Sequence, residues 1–490
     1  MTALRIRIPR GIRPIAAALG FALAAARAPA QPPPAAPLTE AAPTAVTTLP
    51  APGSAALDRL TAVTGQATTP AAACPCPTPE APPTPPSPPP FGGPFCERPV
   101  LSGDWCGLRT RIRDDCGITL DVFATNFYQG VAHGGLQQAF PFGGHADYYL
   151  HVDGQKAGLW QGLFIDLHGE TIYGQSANNL TGALMPVSTT QLFPSPTGEV
   201  TALTQVKVTQ ALSENFAVFL GKINVLDGFN QPFTGGAYGR DGFMNVGMLA
   251  PVVALRGVPF STYGGGFAVL RAGEPVFSVM VLDPNNTPTV SGFNTFFDRG
   301  VSILASLNLP TKLLGLPGHQ GIGGTYSNSP YADLDTNLEF FVTQRLLGLL
   351  PPLPLQTGTW SVFYSFDQTL WADPADAKRS WGMFGNVGIS DGNPSPVRWA
   401  ANLGVGGASP FRSRKLDTFG IGYYYVGVSE SLRNFAPLLV PLRDEQGVEL
   451  FYNVGLTPWF HLTPDLQVVI PTRERVDTAI VTGLRAKIVW

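Results

Sequence analysis

Charge is what this chain has least of. Asp, Glu, Lys and Arg make up 13% of its 490 residues, about half the ~25% usual in soluble proteins. The formal net charge is -3, too small to call for nucleic acid or an acidic partner, and no basic run stands outside the first residues. Long apolar runs are missing too. A membrane-crossing helix needs ~20 apolar residues, and the apolar stretch Leu346 to Leu355 is cut by Pro351, Pro352 and Pro354. Cysteine does not occur after Cys116. The six histidines, His133, His145, His151, His168, His319 and His461, show no His-x-x-x-His or Glu-flanked metal pattern, and there is no Gly-x-Ser-x-Gly elbow or phosphate loop. No enzyme class has its signature here, and no metal or other cofactor is implied.

What is present is turn and strand chemistry: 55 glycines, 48 prolines and 10% aromatics. The last stretch is the most informative. In Ile480 to Trp490, Ile480, Thr482, Leu484, Ala486, Ile488 and Trp490 share one face, and the other carries Arg485 and Lys487. An end that apolar needs something to bury it. A membrane β-barrel supplies it, with an apolar row toward lipid, a charge-tolerant row toward the lumen and an aromatic at the interface.

The N-terminus reads as an export signal over residues 1–30. Arg5, Arg7, Arg10 and Arg13 precede a short apolar core, Ile15 to Ala26, and Ala28-Pro29-Ala30 forms a small-residue cleavage site. An exported chain without a spanning helix can enter a membrane only as a closed barrel. Residues 31–95 are Ala, Pro and Thr with little else and hold 19 of the 48 prolines. Such a segment forms no core and should be a semi-rigid spacer, stiffest over Pro82 to Pro90, that tethers the barrel to the wall layer. Cys74, Cys76, Cys96, Cys106 and Cys116 lie in or just after it, where oxidation permits disulfides. Cys106 and Cys116 can close a small loop, the odd number leaves one over, and Cys74-Pro-Cys76 is too tight for a usual zinc pair.

Ordered structure should begin near Leu101. Ser102 or Asp104 can cap a short amphipathic helix containing Leu108 and Ile112, which makes residues 96–117 a helical plug segment. After Gly117 the period becomes two, with Ile118, Leu120 and Val122 opposite Thr119, Asp121 and Phe123. Here the chain resembles the carbohydrate-selective porins of the OprB family. The matching blocks are Gly103-Asp104-Trp105-Cys106-Gly107-Leu108-Arg109-Thr110, Gly117-Ile118-Thr119, Tyr128-Gln129-Gly130-Val131, His168 to Thr171, Tyr173 to Ser176, Asn178 to Leu184, Gln210 to Asn215, Gly221 to Asn224, Val281 to Asn285, Leu456 to Trp459 and Leu462 to Gln467. Cys106 and Cys116 depart from that pattern, and the Pro-rich spacer is additional. The resemblance, from Leu101 to Trp490, implies a sixteen-stranded antiparallel outer-membrane barrel with a channel narrowed for sugars. Length agrees: Glu97 to Trp490 gives about 25 residues per strand, room for spanning segments of ~10 residues plus turns. The barrel is placed over residues 118–490.

Alternation assigns the lumen. Asp166, His168 and Glu170 lie opposite Leu163, Ile165 and Leu167, and a charge on the lipid side near the midplane costs a few kcal/mol. The same reasoning puts Gln205, Lys207 and Thr209 inside, with Lys222, Asn224, Asp367 and Arg485. A wall mixing donors and acceptors suits neutral polyhydroxylated solutes, and Phe123, Phe164 and Trp371 could stack on a sugar ring. Gln231-Pro232-Phe233, Arg240-Asp241 and Asp298-Arg299 are loop candidates for the constriction. Asp166 and Glu170 are not a glycosidase pair, since four residues of strand separate them by ~13 Å, beyond the ~5–9.5 Å that chemistry needs. The expectation is an outer-membrane porin passing glucose-like sugars passively, embedded in lipid as a single barrel or a homotrimer. The rivals are a general or anion-preferring porin and an envelope-tethering structural protein.

Overall fold

A computed structural model describes residues 92–490 apart from 196, 197, 230, 237, 348–353, 436 and 439. The expected export signal, most of the expected spacer, Cys74 and Cys76 lie outside the described residues. Sixteen strands follow one another: β1 (Ile118–His133), β2 (Phe142–Asp153), β3 (Leu163–Gly174), β4 (Val200–Ser213), β5 (Phe216–Asn224), β6 (Ser261–Arg271), β7 (Glu274–Leu282), β8 (Ser302–Leu313), β9 (Leu316–Ala332), β10 (Leu355–Asp373), β11 (Asp376–Ser390), β12 (Val397–Ala408), β13 (Thr418–Val428), β14 (Glu445–Thr457), β15 (Phe460–Ile470) and β16 (Ala479–Val489). Each pairs antiparallel with its neighbours in sequence, and β1 pairs with β16, so the sheet closes and leaves no edge.

The connections divide by end. Turns such as Ala272-Gly273 and Leu314-Gly315 join even strands to odd ones, all four residues at positive φ as a two-residue hairpin requires. Odd strands lead to even ones through longer segments, among them 175–199, 225–260 and 283–301. The barrel therefore has a short-turn end and a long-loop end, the asymmetry of outer-membrane barrels. Period two decides the faces. On β13, Ile421 and Tyr423 are about half exposed on the outside, while Tyr424 is buried inside. On β16, Leu484 faces out while Arg485 and Lys487 face in, as the alternation predicts.

A helix, α1 (Leu108–Cys116), lies within the segment expected to be helical, but its N-cap is Gly107 rather than Ser102 or Asp104. Its first turn is held by Asp104, whose Oδ1 accepts from the Thr110 N–H and hydroxyl, each at 2.9 Å. No residue of α1 is buried. Arg109 donates to the Trp490 carbonyl at 3.4 Å and stands 3.5 Å from Asp121, which puts the helix at the short-turn end beside β1 and β16. Cys96, Cys106 and Cys116 are exposed and unpaired. The expected Cys106–Cys116 loop does not form because the nine-residue helix ending at Cys116 spans roughly 13 Å, out of disulfide reach.

Candidate pore constriction

The connection 225–260 turns inward instead of out into solvent. Its sequence explains why: Phe243, Met244, Val246, Met248, Leu249, Val252, Val253 and Ala254 form an apolar surface that water would not hold. All are buried, and all but Met244 pack with the inward side chains Phe363, Phe384, Tyr424, Val426 and Phe451. Each fully buried side chain of the Val, Leu, Met or Phe type contributes ~1.5–3 kcal/mol. The opposing wall is cut back to receive them. A Cβ on Gly422 would come 2.0 Å from Met248 Cε, and one on Gly420 would come 2.3 Å from Phe451 Cε1 and 2.8 Å from Phe243 Cζ, so a side chain at either position would have to displace them.

Polar tethers fix the loop in register around the lumen. Glu449 accepts from the backbone N–H groups of Met244 and Asn245, the latter at 3.0 Å, and Asn245 Nδ2 donates to Gln467 Oε1 at 3.1 Å. Asn402 Nδ2 donates to the Gly247 carbonyl at 2.8 Å. Gln231 Nε2 donates to the carbonyls of Phe366 at 2.9 Å and Gly385 at 3.2 Å. Arg485, fully buried, donates to the Gly239 and Gly242 carbonyls at 2.6 and 2.8 Å. Lys487 Nζ lies 2.6 Å from both Asp241 carboxylate oxygens. The connection 175–199 lies against the first: Thr189 donates to the Met244 carbonyl at 2.8 Å, and Glu445 accepts from the N–H groups of Leu184 and Met185.

These loops decide what the expected lumen residues can touch. His168, Glu170 and Asn224 point inward but are sealed off, with 0%, 0% and 1% exposure. They form one network with residues of β2 and the loop. His168 Nε2 is 3.1 Å from Asp147 and its Nδ1 is 3.0 Å from Asp227. Asn224 Nδ2 donates to Glu170 Oε2 at 3.2 Å, and Arg240 donates to Asp147 at 2.6 Å and to the Tyr149 hydroxyl at 3.0 Å. Arg485 is likewise spent on the loop. Asp367 faces in on β10 and meets His319 Nδ1 at 3.0 Å.

Lys222 is a correction. It pairs with Val206, which pairs with the outward Leu167, so it faces out, while its neighbour Ile223 joins the interior cluster. The expected penalty is avoided because the connection 283–301 folds over it, giving Nζ the carbonyls of Val290 at 3.1 Å and Pro288 at 3.4 Å. Trp371 is another. A bulge between Thr369 and Trp371 reverses the alternation, and Trp371 pairs with Trp381, the outward neighbour of the inward Gly382. Phe123 and Phe164 do face in, yet both are buried, Phe123 beneath Lys487 and Phe164 beside His151.

Asp166 and Lys207 remain open to the interior, with side chains 18% and 26% exposed and 3.4 Å apart. His151 Nδ1 stands 2.6 Å from the same carboxylate. From the loop comes Asp241, 36% exposed in its pair with Lys487. Each open carboxylate thus has a cation beside it. Sequence reasoning did not single out Asp147, His145, Glu445 or Glu449. Their inward parity on β2 and β14 was readable, but loop partners of Asp147, Glu445 and Glu449 come from far away in sequence.

A family model described as carbohydrate-selective porin, OprB family, matches residues 142–490. The chain is similar to Porin B of Pseudomonas aeruginosa, 26% identical over 234 residues, which cover 42% of this chain and 50% of that protein. The match thus spans half the length of that curated relative. The high-pH structure of Pseudomonas putida OprB superposes with a TM-score of 0.69 at 21% identity, covering 81% of this chain and 100% of that one. Its low-pH structure gives 0.50 at 17% identity over 81% and 99%. Both likenesses concern the fold. With the family model covering well over half of its length, the chain belongs to the carbohydrate-selective porin, OprB family, and its barrel is an outer-membrane channel.

Proposed function

We propose that this barrel lets small neutral sugars of the glucose class diffuse passively into the periplasm, past a constriction made by the connection 225–260. The observation that carries the reading is the pairing of charges left open to the interior. Asp166 with Lys207 and His151 offers acceptors and donors side by side, and Asp241 offers an acceptor neutralised by the buried Lys487, without a field of one sign. A hydroxylated ring can exchange part of its hydration for such pairs, whereas an ion of either sign meets its like charge as closely as its opposite. Binding of this kind is weak enough to release the solute, and no energy coupling is required.

Liposome swelling with the refolded protein tests this, comparing glucose, larger sugars and amino acids of similar size. Glucose should enter faster than its size predicts. Permeation ordered by size alone would leave a general porin.

A further inference from the structure

We propose that the sealed cluster on β2 and β3 binds one divalent transition-metal ion of the zinc class, with His145 Nε2 and Glu170 Oε1 as its direct protein ligands. These two atoms face each other 3.4 Å apart, both side chains are wholly buried, and neither atom has a hydrogen-bond partner. Shut away from water, two such groups at this separation need a proton or a metal ion between them. Ligand atoms each ~2.0–2.1 Å from zinc at a tetrahedral angle stand roughly 3.3–3.4 Å apart, the separation found here.

The surroundings fit the same occupant. His145 Nδ1 has a carboxylate partner in Asp147 Oδ2 at 3.1 Å, which places a ring hydrogen there and leaves Nε2 directed at Glu170. This carboxylate–histidine arrangement is what orients imidazole on a metal, so Asp147 acts as a positioning residue. Ligand atoms of His145, Asp147 and Glu170 all lie within 4.8 Å of one another. Because Asp147 also holds Arg240, the ion would stiffen a tether of the constricting loop.

The test is calorimetric titration of the full refolded chain with Zn²⁺ and Co²⁺ after its thiols are alkylated, so that the five cysteines cannot compete. One ion per chain is expected, with affinity falling tenfold or more in His145→Ala and in Glu170→Gln, and unchanged in His461→Ala. The visible spectrum of the Co²⁺-loaded wild type should show tetrahedral nitrogen and oxygen ligation. It needs no variant and decides the matter where a variant does not fold. No binding by the wild type, undiminished binding in both ligand variants, or a spectrum of hydrated cobalt alone would overturn the proposal.

Discussion

One carboxylate, Glu449, holds two backbone N–H groups at the middle of the constricting loop. Glu449→Ala leaves both without an acceptor in a dry interior, at ~1–3 kcal/mol for each. The expected result is a noisier, more open channel in planar bilayers and a lower urea midpoint; an unchanged current trace would mean that apolar packing alone fixes the loop. Arg240→Ala removes the cation facing Asp147 and strands a buried charge, which costs about 3–5 kcal/mol. Thermal unfolding should show the loss, and the double variant with Asp147→Asn should recover part of it. Period two placed Asp166, His168, Lys207 and Arg485 on the inner face because charge on a lipid face is costly. It could not show that a loop would cover some of them, nor that 283–301 would shelter Lys222 on the outside. Those outcomes depend on contacts between segments far apart in the chain.

β1, β3, β4, β10 and β16 were legible as strands because each alternates without reference to any other, while the count of sixteen came from the family resemblance, with which the length per strand agrees. The helix α1 was legible from its periodic apolar residues. Gln231-Pro232-Phe233 and Arg240-Asp241, candidates for the constriction by sequence, lie in the inward loop, but the apolar run that seats it, Phe243 to Leu255 in a segment too long for a hairpin turn, was not read. Its complement is the pair of glycines on β13. Gly422→Leu would place side-chain atoms where Met248 now lies. It should drive the loop off the wall, altering conductance severalfold and erasing any preference of glucose over larger sugars in swelling assays. Preserved conductance and selectivity would show that the loop does not set the constriction.

At the scale of the whole molecule, the sixteen strands of the closed barrel run from β1 to β16 within residues 118–489. Deleting Gln31 to Phe95 should leave sugar flux through reconstituted channels within about twofold of the full chain, while a wall tether would reveal itself as envelope leakiness in cells carrying the deletion. Mixed charge in the open interior should also leave little preference between K⁺ and Cl⁻, a reversal potential near zero across a salt gradient. The most direct measurement is single-channel current with glucose added on either side. A sugar-binding constriction predicts concentration-dependent block, weakened several-fold in Asp166→Asn and Lys207→Gln while the sugar-free conductance stays close to wild type. A full-sized current that glucose leaves untouched would contradict it.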